Sequence, residues 1–531
     1  MVITGSVDLS NSDAGRAVEN IPECEILGDL FAVGCENLKS ARCFVRGSAL
    51  FDKSGISFLG GGFGVGGGFS AAGCKALRTV SGHIGGDGGR GDANLRGGGL
   101  VRLESDFSCE GDLVVEDCAA LQALDCEVGG SVLASGSAIA VLGPAFLCGR
   151  SLVLDGCRNF HELGLLRKSP ADVHLGRSGI REVGAGFSCL GDLILDDVPL
   201  LERVGGSVGG KVHVSEAPRL ATIDSVRVGR GISVRGCPGL EKVSFSGEGH
   251  AFFGECGMTE LSPPAAWEGD LALSRCPGIR EIGGQWPGGV RLHGIPELAG
   301  MRGDFLCEGT LEVHDCPHLS MLVGRTGGDT FIQGCEKLVE LGPGLKVGGR
   351  LIFGGDDSPV RSIGCLVEGS AVLFRLGRLK ETAPTFQVAG DLIVTDCPVF
   401  RVLRGRVGGD TTVSDCPAIE LIGADFEGEG KLLIKRCPPL KSLNCCIGRD
   451  VRIEESGVLS TGPAFRCVGK LQIKTKKKVQ EGVRGDLEKE DRVRAMVLKE
   501  TSWPAFMPPA RSSAKSGSFS RPHLSQPGKG H

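Results

Sequence analysis

Tyrosine is absent from this 531-residue chain, and tryptophan appears only three times. The missing tyrosine has no physical account and excludes nothing, but other absences do. No apolar run approaches the roughly 18 residues that would span a bilayer, so no membrane span is expected. The opening MVITGSVDLSNSDAG has no basic start ahead of an apolar stretch, so it does not read as an ordinary secretory signal. No Asn-x-Ser/Thr sequon is present. A basic excess is also missing: the net charge is −5, which argues against nucleic acid as a partner of the whole chain. No G-x-S-x-G elbow, H-E-x-x-H pair or P-loop occurs. The 23 cysteines are an odd count. Without an export signal, they fit reduced thiols in the cytoplasm better than a disulfide framework.

What is abundant is glycine, 87 residues, and a repeat. GDLVVEDCAALQAL (111–124), RSLVLDGCRNFHEL (150–163), GDLALSRCPGIREI (269–282), GTLEVHDCPHLSML (309–322) and GDLIVTDCPVFRVL (390–403) share one pattern, G-x-Φ-x-Φ-x-x-C-x-x-Φ-x-x-Φ with Φ apolar. The first apolar residue of each copy serves as an anchor. Clear anchors include Leu30, Leu113, Leu152, Leu193, Val212, Ile232, Leu271, Val290, Leu311, Leu351, Leu392, Leu432, Val451 and Leu471. Weaker ones include Val7, Phe69, Val132, Ala251, Thr330, Ala371 and Thr411. Neighbouring anchors lie about 20 residues apart, and alternate copies open with Phe-x-Cys-x-Gly or Val-Gly-Gly.

In this register, 22 of the 23 cysteines occupy three columns, at anchor −6, −4 and +5, and only Cys446 falls outside. Positions −6, −4, −2, 0 and +2 alternate with polar ones, the period of an extended segment with one buried face. Glycine at −2 leaves room for a close neighbour. Pro and Gly interrupt every copy, so no long helix fits. A single copy cannot bury its own apolar face, but stacked copies can. The expected fold is a β-rich solenoid of about 24 coils with parallel strands and little helix, on the order of 110 Å long at roughly 4.8 Å per coil.

The pattern L-x-L-x-x-C-x-x-L-x-x-L resembles the leucine-rich repeat family, in particular bacterial proteins with short cysteine-containing repeats. The resemblance covers about residues 5–475. It implies a solenoid that binds proteins, with Cys in place of the usual ladder Asn. The Pro after the last Leu is shifted or missing, as at Pro144, Pro343, Pro384 and Pro463. A nearly straight parallel β-helix is therefore the alternative fold.

Residues 1–475 read as the solenoid, with a Gly-rich irregular stretch at 60–99 that suggests poorly packed coils or a break. The first coil starts without a polar cap, which suggests self-association through that end. Residues 476–500 read as a capping helix with Leu487, Val493, Met496 and Val497 on one stripe. Residues 501–531 read as a disordered basic tail rich in Ser, Pro and Gly.

Candidate chemistry is sparse, and no cofactor, metal or catalytic residue is expected. The thiols recur at coil spacing and not as Cys-x₂₋₄-Cys pairs, so they read as a buried ladder. Gly62–Gly67 matches G-x-G-x-x-G without a following helix. Arg90-Gly-Asp92 and Arg484-Gly-Asp486 are tripeptides that this composition produces by chance. In His314-Asp-Cys316-Pro-His318 the first histidine points outward and the cysteine inward, so they do not converge. Outward carboxylates such as Glu116, Asp155 and Asp196 lie too far apart for a polysaccharide-cleaving pair.

The outward strand positions are the expected protein-binding surface. At anchor +1 stand Val114, Val153, Ile194, His213, Arg291, Ile352, Ile393, Leu433 and Arg452, and at anchor +3 stand Arg235 and His314. This apolar stripe beside a polar one points to a non-enzymatic scaffold binding a protein ligand, with export as an effector as a variant. The alternatives are a self-assembling structural rod and a β-helix enzyme acting on polysaccharide.

Overall fold

The computed structural model describes residues 1–474 except 11, 61, 87–90, 105, 265, 356–357 and 459. The chain divides into two compact units, Met1–Thr475 and Lys476–His531. The capping helix expected at 476–500 and the tail at 501–531 lie outside the described residues.

The first unit is a parallel β-solenoid with a single five-residue helix, Asp13–Ala17, whose N-cap Ser12 accepts the Gly15 N–H. Its longest sheet has 24 parallel strands, one per coil. Pairings run rung by rung from Val7–Asp8 to Leu471–Lys474. All the anchors identified above stand in register in this sheet. Ala49, Ala93 and Val173 complete the column. The anchors Leu113, Leu152, Leu193 and Leu392 have no exposure at all. A leucine so placed contributes about 2 kcal/mol relative to an exposed one.

Two further sets of parallel ladders close most of the described coils. One contains pairs such as Ser108–Cys109 with Glu127–Val128, at anchor −5 and −4. The other lies after the cysteine, as in Glu182–Val183 with Arg203–Val204. That last ladder was not expected, because its strands are two residues long and follow Pro and Gly. In several coils the two ladders fuse into one strand, as in Thr222–Val228 and Leu421–Gly428.

Glycine at anchor −2 has the packing role its position suggested. A Cβ on Gly130 would lie 2.6 Å from the carbonyl carbon of Gly111, one coil below. Within the Gly-rich stretch 60–99, the described residues carry strands in all three ladders. Phe51, Phe63 and Phe69 fill its interior, with ring centroids 5.4–6.3 Å apart.

Two columns of hydrogen bonds tie coil to coil. Ten aspartates at anchor −1 each accept the backbone N–H of the next coil's −1 residue at 2.7–2.9 Å, Asp112 to Ser131 among them. At anchor +5 the thiols of Cys74, Cys118 and Cys157 donate to the anchor +2 carbonyl of the preceding coil at 3.0–3.3 Å. Ser137 makes the same bond, to Val115 O. Ser54, Ser137 and Ser178 thus fill the cysteine column in coils that lack a thiol.

Between the long sheet and the cysteine, the chain turns through a left-handed residue at anchor +4. Among the described residues, thirteen of the fourteen non-glycine residues with positive φ stand there, at φ 49–56°, and all thirteen are charged. The remaining described coils place glycine at that corner, as at Gly136 and Gly156.

Candidate binding face

The eleven residues expected to form a surface all lie on the outward face of the long sheet. Val114 and Val153 flank Leu133 in register. Ile352 and Ile393 flank Val372. Leu133, Val372 and Glu312 belong to the same column and were missed. Their coils have weak anchors or a charge where the pattern had an apolar residue.

Exposure varies along the column. Val114, Val153, Ile194, His213, Ile393, Leu433 and Arg452 are half-buried, as are Arg235 and His314 at anchor +3, and Arg291 is exposed. Ile352 retains only 8% of its surface, and Val372 6%. Each stands between bulky neighbours on adjacent rungs, so Ile352 contributes to the sheet more than to the surface.

The polar members meet carboxylates, most of them on a neighbouring rung and Arg452 on its own strand. Arg291 Nε lies 3.4 Å from Glu312 Oε1, and His213 Nε2 lies 3.5 Å from Asp196 Oδ1. Arg235 and Arg275 converge on Glu255 at 3.6 and 2.7 Å. Arg452 reaches Glu454 at 2.6 Å. Such pairs at a solvated surface are each worth about 0–1 kcal/mol, so they orient side chains more than they stabilise the fold.

The cluster around His314 does not converge. Cys316 is fully buried and its thiol meets the His314 carbonyl at 3.3 Å. His318 Nδ1 lies 2.6 Å from the Pro296 carbonyl. Burial holds His314 down to about 4. Among the described residues no group of three His, Cys, Asp or Glu side chains is arranged to hold a metal ion.

The thiols are free, and only Cys446 is exposed, with Cys467 intermediate. Burial pushes Cys157 and Cys316 up to about 11 and Cys335 and Cys365 up to about 12. A thiol so shifted carries almost no thiolate at neutral pH.

The outward carboxylates are also engaged. Asp155 accepts the Gly176 N–H at 2.7 Å, Asp196 bonds the Ser215 hydroxyl, and Glu116 lies 3.4 Å from Arg96. Asp92, the acid of the first Arg-Gly-Asp, accepts the Asp112 N–H, while Arg90 and the second tripeptide lie outside the described residues. Gly64–Val65, inside the G-x-G-x-x-G match, is a strand paired to Phe44–Val45 and His83–Ile84 and precedes no helix.

No described helix is long and apolar enough to cross a membrane. Comparison with protein-family models and with curated proteins finds no match to this chain.

Proposed function

We propose that the chain is a non-enzymatic scaffold that binds another protein along the outward face of its long sheet. One observation carries this reading: the half-buried column from Val114 to Leu433 presents apolar side chains in register, beside polar ones that ion pairs hold in place. Part-exposed apolar surface with a polar rim is the composition of a recognition surface. The carboxylates and thiols that could serve chemistry are instead engaged in rungs between coils, which supports a binding role over a catalytic one. The free thiols support a reducing compartment.

The test compares the native chain with Val153→Asp, Ile194→Asp and Ile393→Asp as baits in a reducing lysate. A control bait carries Val141→Asp and Val339→Asp, exposed positions in the ladder after the cysteine or just ahead of its strand. The expected result is a protein retained by the native and control baits and lost with the first variant. Equal retention by all three would remove the outward column as the binding face.

A further inference from the structure

The outward face of the long sheet changes sign along the chain. On the five rungs anchored from Leu113 to Leu193, the anchor −1 to +4 segments hold eight carboxylates and one guanidinium. On the three rungs anchored at Leu432, Val451 and Leu471, the same segments hold six Lys or Arg and three carboxylates. The acidic stretch is deep in sequence as well: no Lys or Arg occurs between Arg102 and Arg150, where eight carboxylates do.

Part of this charge is paired within the chain: Glu116 and Asp117 each lie 3.4 Å from Arg96, Arg436 pairs with Asp415, and Arg452 and Lys474 lie 2.6 and 3.6 Å from Glu454, while the remainder faces solvent. Asp112, Asp172 and Asp192 accept backbone N–H groups, which fixes the carboxylates without neutralising them. Asp117 and Asp197 stand at the exposed left-handed corner. At the other end the backbone N–H groups of Lys431 and Lys470 are bonded to Asp410 and Asp450, while both residues are exposed.

Because every strand of the sheet is parallel, this polarity has one direction along the face. We infer that the face pairs with a second copy of this chain running the opposite way, the acidic rungs of each copy lying against the basic rungs of the other. The inference rests on the outward column being an interface and names its occupant. Antiparallel pairing about a two-fold axis satisfies both contacts at once, since each is the image of the other. Parallel pairing would set like charge against like. Between the charged ends, Phe252 and Phe331 supply apolar contact on rungs that hold one carboxylate each. Attraction of this kind is collective and screened within about 8 Å at physiological ionic strength, so it is salt-sensitive.

The test is light scattering on the full chain at low and high salt. The expected result is a dimer at low salt whose dissociation constant rises at least tenfold at high salt. Lys431→Glu with Lys470→Glu should weaken the dimer at least tenfold at low salt, as should Asp117→Lys with Asp197→Lys. The corner accepts lysine, since Lys53 occupies the same position at φ 56°. Combining all four should restore the dimer, an outcome that rules out misfolding as the cause of the losses. Lys476→Glu, Lys477→Glu and Lys478→Glu together should leave it unchanged. A monomer at every salt concentration, or loss of the dimer with the 476–478 variant alone, would overturn the inference. Assemblies that grow with concentration would replace the closed pair with a head-to-tail chain. If the chain is monomeric yet its outward column still retains a protein in the lysate experiment, the scaffold reading stands and only the occupant is wrong.

Discussion

The carboxylate of Asp410 accepts the backbone N–H of Lys431, 21 residues further on, at 2.8 Å. Asp410 in turn donates its own N–H to Asp391 at 2.7 Å. The Asp at anchor −1 is therefore a rung that closes one coil on the next. Removing it returns an exposed donor to water, so the loss is that of one net hydrogen bond, about 0.5–1.5 kcal/mol. Asp410→Ala should lower the stability of the solenoid by that amount in urea unfolding, and Asp410→Asn, which keeps an acceptor oxygen, by less. Equal losses would mean that charge, and not the hydrogen bond, sets the contribution.

The thiol columns predict a sharp pattern of reactivity. Cys446 is exposed and Cys467 intermediate, while the other 21 are buried. A maleimide at neutral pH should label Cys446 first and Cys467 more slowly, and reach the rest only in denaturant. Peptide mapping by mass spectrometry gives the assignment. Rapid labelling of Cys157 or Cys316 in the folded chain would contradict the buried ladder.

Those thiols also set an alkaline limit. Cys157, Cys307 and Cys316 are raised to about 11, and Cys126, Cys335 and Cys445 to about 12, chiefly by burial. A thiol whose pKa is raised on folding contributes stability that is full below its unfolded value near 9 and fades as pH rises through 11–12. Above pH 9 the unfolded chain releases protons that the folded chain keeps, which costs about 1.4 kcal/mol per pH unit for each such thiol. The unfolding midpoint in urea should fall steeply between pH 9 and 11. Thiolate absorbance should appear with unfolding and not before it.

The left-handed corner offers a controlled comparison. Glu216 stands there at φ 49°. A non-glycine residue in that conformation costs about 1–2 kcal/mol, partly offset by the greater freedom of glycine in the unfolded chain. Glu216→Gly should therefore be more stable than Glu216→Ala by about 1 kcal/mol, since both remove the same carboxylate. Gly156→Ala, at φ 72°, should lose a similar amount. Calorimetric midpoints of the three variants decide it.

Much of this fold was legible because the anchor, the Gly at −2 and the Cys at +5 are each chosen by packing against a copy of themselves. Ala93 escaped because the ladder tolerates a small apolar residue where its neighbours are large. Ser137 escaped because sequence patterns treat serine as polar, although it makes the bond a thiol makes. The ladder after the cysteine, as at Arg203–Val204, left almost no signal, since its two-residue strands are specified by neighbouring coils and not by their own pattern. The outward column was legible as a face, but not the burial of Ile352, which depends on the residues one rung away.

His314 couples the same face to acid. It is held to about 4 by burial, with His293 opposing its charge and Asp315 favouring it. A histidine depressed on folding contributes stability that is full above its unfolded value near 6.5 and is lost as pH falls through 4. Below pH 6.5 the unfolded chain takes up a proton that the folded chain refuses. With its remaining solvent contact discounted, the effect is on the order of 2 kcal/mol. The chain should thus weaken between pH 6.5 and 4 by more than its carboxylates alone account for. His314→Gln, which cannot charge, should be less acid-sensitive than the native chain while matching or falling below it at pH 7. Urea unfolding of both proteins at pH 7 and pH 4.5 measures the difference, and parallel losses in the two would show that His314 already titrates as it does in water.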